Sequence, residues 1–207
     1  MPVKLAPEPG HFHERVQKPG EEFLASTPHP TTKDWVSRDY WKHISKDLHA
    51  AYSGICAYSC LWISSDDVTV DHFKPKNKYP HEAYRWENYR LASHTMNGKK
   101  GEHEDVLDPF LLPPGWFIFD FERMIVKPGS HLSAVEKDAV MKTIKRLDLN
   151  GERCSRKRQE WLDPYLEGEV TFSLLKKRSP FIASELERQG LVEEICTRKR
   201  FPMPPAP

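Results

Sequence analysis

The sequence predicts an α+β fold, in which a small two-stranded sheet and a short helix lie within a mostly helical, loop-rich single domain. Between residues 68 and 100, two strand-like stretches are followed by a helical one. Apolar residues after Ser133 recur at helical spacing, and Glu136 stands at capping-box distance. Finally, 18 of the 207 residues are Pro, too many for a regular helical bundle.

The chain divides into three segments. Residues 1–35 are expected to form an extended arm with a short helix near 21–25, because six Pro interrupt helical patterns there. Residues 36–158 hold the predicted strands and their flanking helices. Residues 159–207 are predicted to be a C-terminal helical segment with a Pro-rich tail.

Individual elements follow from periodicity and capping. A helix is predicted over residues 37–52, with Ser37 as its cap and Gly54 at its end. The dipeptide Asn150-Gly151 is typical of a turn between two helices. Along the rest of the chain we predict a strand or tight turn at 55–63, strands at 68–73 and 89–93, a long loop at 74–88, a helix at 95–100, a hairpin at 116–126, and helices at 133–147, 152–162, 171–177 and 182–189.

Composition excludes several classes of protein. The formal net charge of +1 gives no support for a nucleic-acid partner. Only a local cluster of positive charge could support one. The sequence has no run of 18 apolar residues, the length needed to span a membrane. The N-terminus also lacks the apolar core of a signal peptide. We therefore expect a cytoplasmic protein. The four Cys, at 56, 60, 154 and 196, do not suggest a disulfide framework in a chain of this length.

The residues best suited to chemistry lie between positions 71 and 100. Asp71 and Asn97 offer hard oxygen ligands, which suit Mg²⁺ or Mn²⁺. His72 can act as a general base near neutral pH. Neighbouring residues on a strand face opposite ways, but a bend at the strand end, which Pro75 favours, can bring both toward one pocket.

The order of these residues resembles the HNH, or ββα-metal, endonuclease family. The motifs are V-D-H-F-x-P-K at 70–76, W-x-N at 86–88 and N-x-x-K at 97–100. The resemblance implies that Asp71 and Asn97 bind the metal and that His72 activates the attacking water. It implies that Asn88 holds the loop and orients the base, and that Lys100 lies near a phosphate. The same order is similar to the HNH domain of the RNA-guided CRISPR nuclease.

Further short motifs around these residues make the resemblance more specific. C-A-Y at 56–58 and Y-x-W-x-N-Y-R-L-A-S at 84–93 are similar to bacterial anti-phage HNH proteins of the Septu and retron-associated type. Over residues 52–158, the resemblance implies a DNA-cleaving defence effector with an ABC-type ATPase partner. Many proteins of this group carry two C-x-x-C pairs that bind a structural zinc.

This chain departs from that zinc pattern. Its first pair is spaced one residue too wide, as Cys56 and Cys60, and Ser93 and Met96 occupy the expected second pair. We therefore expect apolar packing and no zinc. A three-ligand site of Cys56, Cys60 and His94 is the alternative.

Local charge is consistent with a polyanionic substrate. Residues 71–101 contain seven Lys or Arg and three acids, and residues 142–158 contain seven and two. Such patches bind phosphates without reading sequence. The basic run 153–158 is either part of a DNA-binding groove or a solvated helix face. The predicted phosphate-binding residues are Lys74, Lys76, Arg90 and Lys100.

Plainer interpretations remain open for most of these residues. An Asp-His pair is often a surface ion pair, Asn88 a turn residue, and Asn97 a helix cap. The aromatic residues Tyr84 and Trp86 fit a core better than a base-stacking surface. At the level of function, the alternatives to a DNA endonuclease are an inactive HNH-fold scaffold subunit and an RNA-cleaving toxin.

Overall fold

The N-terminal segment is helical where an extended arm was predicted. The protein is described here by a computed structural model covering residues 3–193. A π-helical turn over His13–Gln17 leads into helix α1, Lys18–Ser26. Pro19 lies in the first turn of α1, directly after the π-helical turn, where its fixed φ is compatible with the helix. The short helix predicted near residues 21–25 is therefore part of a longer helical stretch, and the buried apolar side chains of residues 3–35 include Phe12, Val16, Phe23 and Trp35.

Helix α2, Ser45–Ala51, is shorter than the helix predicted over residues 37–52. A 3₁₀ turn over Tyr40–Ile44 precedes it. Ser37 lies outside both elements with a φ of 61°, so it does not cap the helix. Gly54, with a φ of 71°, follows the end of α2 as predicted, because this left-handed conformation favours glycine.

A ββα unit occupies the middle of the chain. Strands β1, Val68–His72, and β2, Tyr89–Ser93, pair in antiparallel fashion, with Asp71 opposite Arg90. Helix α3, His94–Lys100, follows β2 without a loop. The three elements confirm the predicted order of strand, strand and helix, and they place the end of β1 beside α3.

Backbone hydrogen bonds hold the segment preceding β1. Residues 55–63 form a tight turn closed by a bridge between Ile55 and Trp62. The Ala57 amide donates to the Leu91 carbonyl at 2.8 Å, which joins this turn to β2. Backbone hydrogen bonds therefore fix the turn against the sheet.

The positions of the zinc pattern have other roles. Ser93 caps α3 by accepting a hydrogen bond from the Met96 amide at 3.2 Å. Met96 and Cys56 are buried in the core. Within the described residues, no group of three or more His, Cys, Asp or Glu side chains is placed to hold a metal. Cys56, Cys60 and His94 therefore do not form the three-ligand site considered above.

The second half of the chain is a hairpin followed by helices. Ser133 and Glu136 form the predicted capping box, in which the Ser133 amide donates to Glu136 Oε2 at 2.8 Å. Asp148 then leaves the helix in the left-handed conformation, before the turn predicted at residues 150–151. The elements are β3, Phe117–Asp120; β4, Ile125–Pro128; α4, Ala134–Leu147; α5, Glu152–Glu167; α6, Phe172–Arg178; and α7, Pro180–Arg188.

One hydrophobic core receives side chains from all three segments, from Phe12 in the first to Leu186 in the last. Tyr84 and Trp86 are buried in it, which confirms their structural role. None of the helices in the described residues is both long and apolar enough to cross a bilayer. Cys196 and the predicted Pro-rich tail lie outside the described residues.

Candidate active site

Four of the predicted site residues, Asp71, His72, Lys76 and Asn97, line one cavity. Asp71 and His72, at the end of β1, and Asn97, on α3, enclose an open space of about 280 Å³. The chain bends after His72, so the two neighbouring residues reach the same cavity as predicted. The other lining residues are Trp41, Val70, Pro75, Gly101 and Glu102.

Asp71 is a buried carboxylate, with 3% of its surface exposed. The Tyr58 hydroxyl donates to its Oδ2 atom, which leaves Oδ1 for the cavity. Burial raises the pKa of Asp71, while the positive charge of Lys100, the Tyr58 hydrogen bond and the charge of Arg90 oppose that rise. A partly compensated carboxylate at a cavity wall is suited to a cation.

His72 is held as a neutral imidazole. Its Nε2 lies 2.9 Å from the Ala83 carbonyl oxygen, so this nitrogen carries the proton and donates it. Burial lowers the pKa of His72 to about 3, and the nearby charges of Lys76 and Lys100 act in the same direction. The remaining nitrogen, Nδ1, therefore presents a lone pair that can accept a proton.

Aromatic rings fix the plane of this imidazole. The rings of Trp41 and Tyr89 stand edge-on to His72, at centroid distances of 4.6 and 5.3 Å. The Tyr89 hydroxyl also donates to the Ala83 carbonyl at 2.8 Å. His72 is thus held by one hydrogen bond and two ring contacts.

Asn88 does not line the cavity, but it fixes the loop that holds His72. Its Oδ1 accepts from the Lys74 amide at 2.7 Å, and its Nδ2 donates to the Lys74 and Glu82 carbonyls, each at 3.0 Å. Glu82 directly precedes Ala83, whose carbonyl binds His72. Asn88 therefore acts on the imidazole through the loop backbone.

Asn97 lines the cavity, and its amide nitrogen is hydrogen-bonded. Its Nδ2 donates to the Thr69 hydroxyl at 3.1 Å, across from α3 to β1. With the amide nitrogen committed in this way, Oδ1 is the atom available to a ligand. Asn97 lies inside α3, whose cap is Ser93, so the alternative that Asn97 is a helix cap is wrong.

Two of the four predicted phosphate contacts are buried and require a correction. Lys100 has no exposed surface, and its Nζ donates to the backbone carbonyls of residues 72, 73 and 101. Arg90 is 3% exposed and forms an ion pair of 2.7 Å with Asp108. Neither side chain can reach a phosphate in this conformation. Both instead lie close enough to act on the charge of Asp71.

The other two cations are more accessible, Lys74 more so than Lys76. Lys74 is exposed and paired with Glu82 at 2.7 Å. Lys76 lines the cavity, and its Nζ lies 5.8 and 5.7 Å from the ring centroids of Trp35 and Trp41. Partial burial lowers the pKa of Lys76. Lys76 is therefore the predicted cation best placed to meet an anionic group in the cavity.

Two residues of the site were not identified from the sequence. Tyr58 is part of the C-A-Y motif, but it was assigned no role. Its hydrogen-bond partner, Asp71, is 13 residues away in the sequence. Trp41 falls within the helix predicted over residues 37–52 and was given no role in the site, although it lines the cavity. A long-range hydrogen bond and a ring contact leave no local sequence pattern that would indicate them.

The donor set fits a hard divalent cation. Asp71 Oδ1 and Asn97 Oδ1 are oxygen ligands of the kind that Mg²⁺ or Mn²⁺ prefers, and Mg²⁺ in proteins usually retains several waters. The open cavity has room for such waters. Neither oxygen is the atom used in its side chain's hydrogen bond to Tyr58 or Thr69.

Comparison with known proteins gives a similarity over a short stretch. No family model matches the chain. A stretch of 46 residues, 22% of this chain, is 37% identical to the Septu protein PtuB of Bacillus thuringiensis. That stretch spans 18% of the relative's own length. The similarity supports a relation to a defence-associated protein over this stretch, and it does not by itself show the family of the whole chain.

Proposed function

We propose that this protein is a metal-dependent endonuclease of the HNH type that hydrolyses DNA phosphodiester bonds. The observation that carries the proposal is the convergence of Asp71, His72 and Asn97 on one cavity of a ββα unit. The neutral state of His72 adds to it, because a base must be unprotonated before it acts.

These residues would have different chemical roles. Asp71 and Asn97 would hold Mg²⁺ or Mn²⁺, and the bound ion would supply positive charge to offset the negative charge that develops in the transition state. His72 Nδ1 takes a proton from water as the water oxygen forms its bond to phosphorus. The bond from phosphorus to the 3′ oxygen then breaks, and that oxygen leaves with the electron pair and is protonated by solvent.

The surroundings of His72 support this role. The Ala83 carbonyl stays bound to Nε2–H and stabilises the imidazolium that forms. A bound phosphate also raises the affinity of His72 for a proton, since it offsets the charge of Lys76 nearby. Lys76 would contact a phosphate oxygen at the cavity wall.

A plasmid-cleavage assay tests the proposal. With Mg²⁺ or Mn²⁺ the wild-type protein is expected to convert supercoiled plasmid to nicked or linear forms, and a chelator is expected to stop this. His72→Ala is expected to lose the activity. His13→Ala serves as the matched control, because His13 is exposed and lies outside the cavity lining. Equal cutting by His72→Ala and wild type would refute the mechanism.

The biological setting of the proposal is anti-phage defence. It is supported by the 46-residue similarity to a Septu protein and by the resemblance described above. We propose an ABC-type ATPase as the partner, because a chain with a net charge of +1 binds DNA weakly unless it is recruited. Full, unregulated cutting by the isolated monomer would contradict the need for a partner.

The burial of Arg90 and Lys100 favours one alternative, a scaffold subunit without activity, because it removes two cations from the predicted substrate surface. Metal binding without cleavage of any nucleic acid would support that alternative. An RNA substrate in the same assay separates the third candidate, an RNA-cleaving toxin, from a DNA endonuclease.

A further inference from the structure

Arg158 points into the interior, unlike the arginines around it. It lies on α5, where Cys154, Leu162 and Tyr165 share its buried face at helical spacing. Only 2% of its surface is exposed, whereas Arg156, two residues earlier, is exposed. The run 153–158 was expected to be either a solvated helix face or part of a DNA-binding groove, and the buried Arg158 belongs to neither.

The guanidinium of Arg158 forms no ion pair with an acidic side chain in the part of the chain that the structure describes. Its Nε and Nη1 atoms have no hydrogen-bond partner among the described residues. The titratable groups that act on its charge are the thiols of Cys154 and Cys60, and no carboxylate is among them. The ring of Phe119, 5.8 Å away, offers a weak cation–π contact. Arginine stays protonated even when buried, so an anion is the natural complement.

Arg158 lines a cavity separate from the candidate active site. The cavity has a volume of about 50 Å³, room for about three to five waters or a ligand of similar size. Its walls are mostly apolar, and Leu107, Leu112 and Phe117 are partly exposed where they line it. Ser59 and Thr143 are polar, but the Thr143 hydroxyl is already bonded to the Leu107 amide and the Ala139 carbonyl.

We propose that this cavity binds a small organic monoanion, a carboxylate on a short apolar stem, with the carboxylate against Arg158. The charge of the ligand follows from the unpaired guanidinium. The apolar stem follows from the walls, and the small size follows from the volume, which has no room for a nucleotide.

One side chain connects this cavity to the candidate active site. Tyr58 lines the cavity, and its hydroxyl donates to Asp71 on the other side. The Arg158 cavity therefore lies one side chain from the proposed metal ligand. Binding of the anion does not depend on nuclease activity, so it is tested independently of the proposed function.

Butyrate is the probe, compared with butanol and with chloride and phosphate at equal ionic strength. Isothermal titration calorimetry and thermal unfolding of the full chain measure binding. Butyrate is expected to bind and to raise Tm, while butanol and the inorganic ions are not. Arg158→Met is expected to weaken butyrate binding at least ~10-fold, because a charge-assisted hydrogen bond is lost. Arg156→Met, an exposed arginine of the same helix, is expected to bind as wild type does.

A second variant keeps the test decisive if Arg158→Met does not fold. Leu112→Trp fills the cavity from its partly exposed wall, leaves the guanidinium in place, and is expected to abolish butyrate binding. Equal binding of butanol, or equal stabilisation by chloride or phosphate, would overturn the proposal. So would unchanged butyrate binding in Leu112→Trp, or the same loss in Arg156→Met.

Discussion

Replacing Asn88 with Ala tests whether one amide side chain holds the loop between the two strands. The change removes three hydrogen bonds, one to the Lys74 amide and two to the Lys74 and Glu82 carbonyls. At about 0.5–1.5 kcal/mol each, their loss lowers the free energy of unfolding by about 2–4 kcal/mol. For a domain of this size, that corresponds to a fall in Tm of roughly 5–15 °C.

Urea unfolding measures the loss, and Asn88→Asp is the matched variant. The aspartate keeps the acceptor for the Lys74 amide but replaces two donor contacts with contacts between oxygens. We therefore expect Asn88→Asp to be at least as destabilising as Asn88→Ala. A loss below about 0.5 kcal/mol in both variants, the range of an ordinary surface substitution, would refute the role assigned to this side chain.

Three further predictions concern the buried polar groups around the site. Tyr58→Phe removes the hydrogen bond to Asp71 and is expected to weaken Mn²⁺ binding about 10-fold by calorimetry; unchanged affinity would show that Tyr58 does not position the carboxylate. Arg90→Met leaves Asp108 without its partner and is expected to cost about 3 kcal/mol in urea unfolding, and a near-neutral result would contradict the ion pair. Because the folded-state pKa of His72 is depressed to about 3, the unfolded chain binds that proton more readily, and stability is lost as pH falls below about 6.5. Between pH 6.5 and 5 we expect a loss of about 2 kcal/mol in wild type that is absent in His72→Gln.

The ββα unit could be predicted because local patterns specify each of its parts. Alternation specifies the strands, and Ser93 caps the following helix through its own side chain. The hairpin and the capping box at Ser133 are equally local. The arm could not be predicted in the same way, since a Pro in a first helical turn looks like a helix breaker until Val16 and Phe23 are known to pack in the core.

The inward orientation of the cations was harder to predict than the elements that carry them. A signal existed for Lys100, because it lies four residues after Met96 and so shares the buried face of α3. Arg158 stands in the same relation to Cys154 on α5. A count of charges over a segment ignores this spacing, and it therefore overstated the positive surface of the chain.

The corrected placement changes the expected strength of DNA binding. In the region of residues 71–101, two cations are inside the protein, and Lys74, Lys78 and Lys99 are paired with acids. Lys76 lies in the cavity and forms no ion pair within the described residues. The buried cations act instead on Asp71, where their charge opposes the effect of burial and favours the ionised carboxylate. The positive charge therefore acts on Asp71, the proposed metal ligand, more than on a surface that could bind DNA. This is the physical reason for proposing a partner that delivers the substrate.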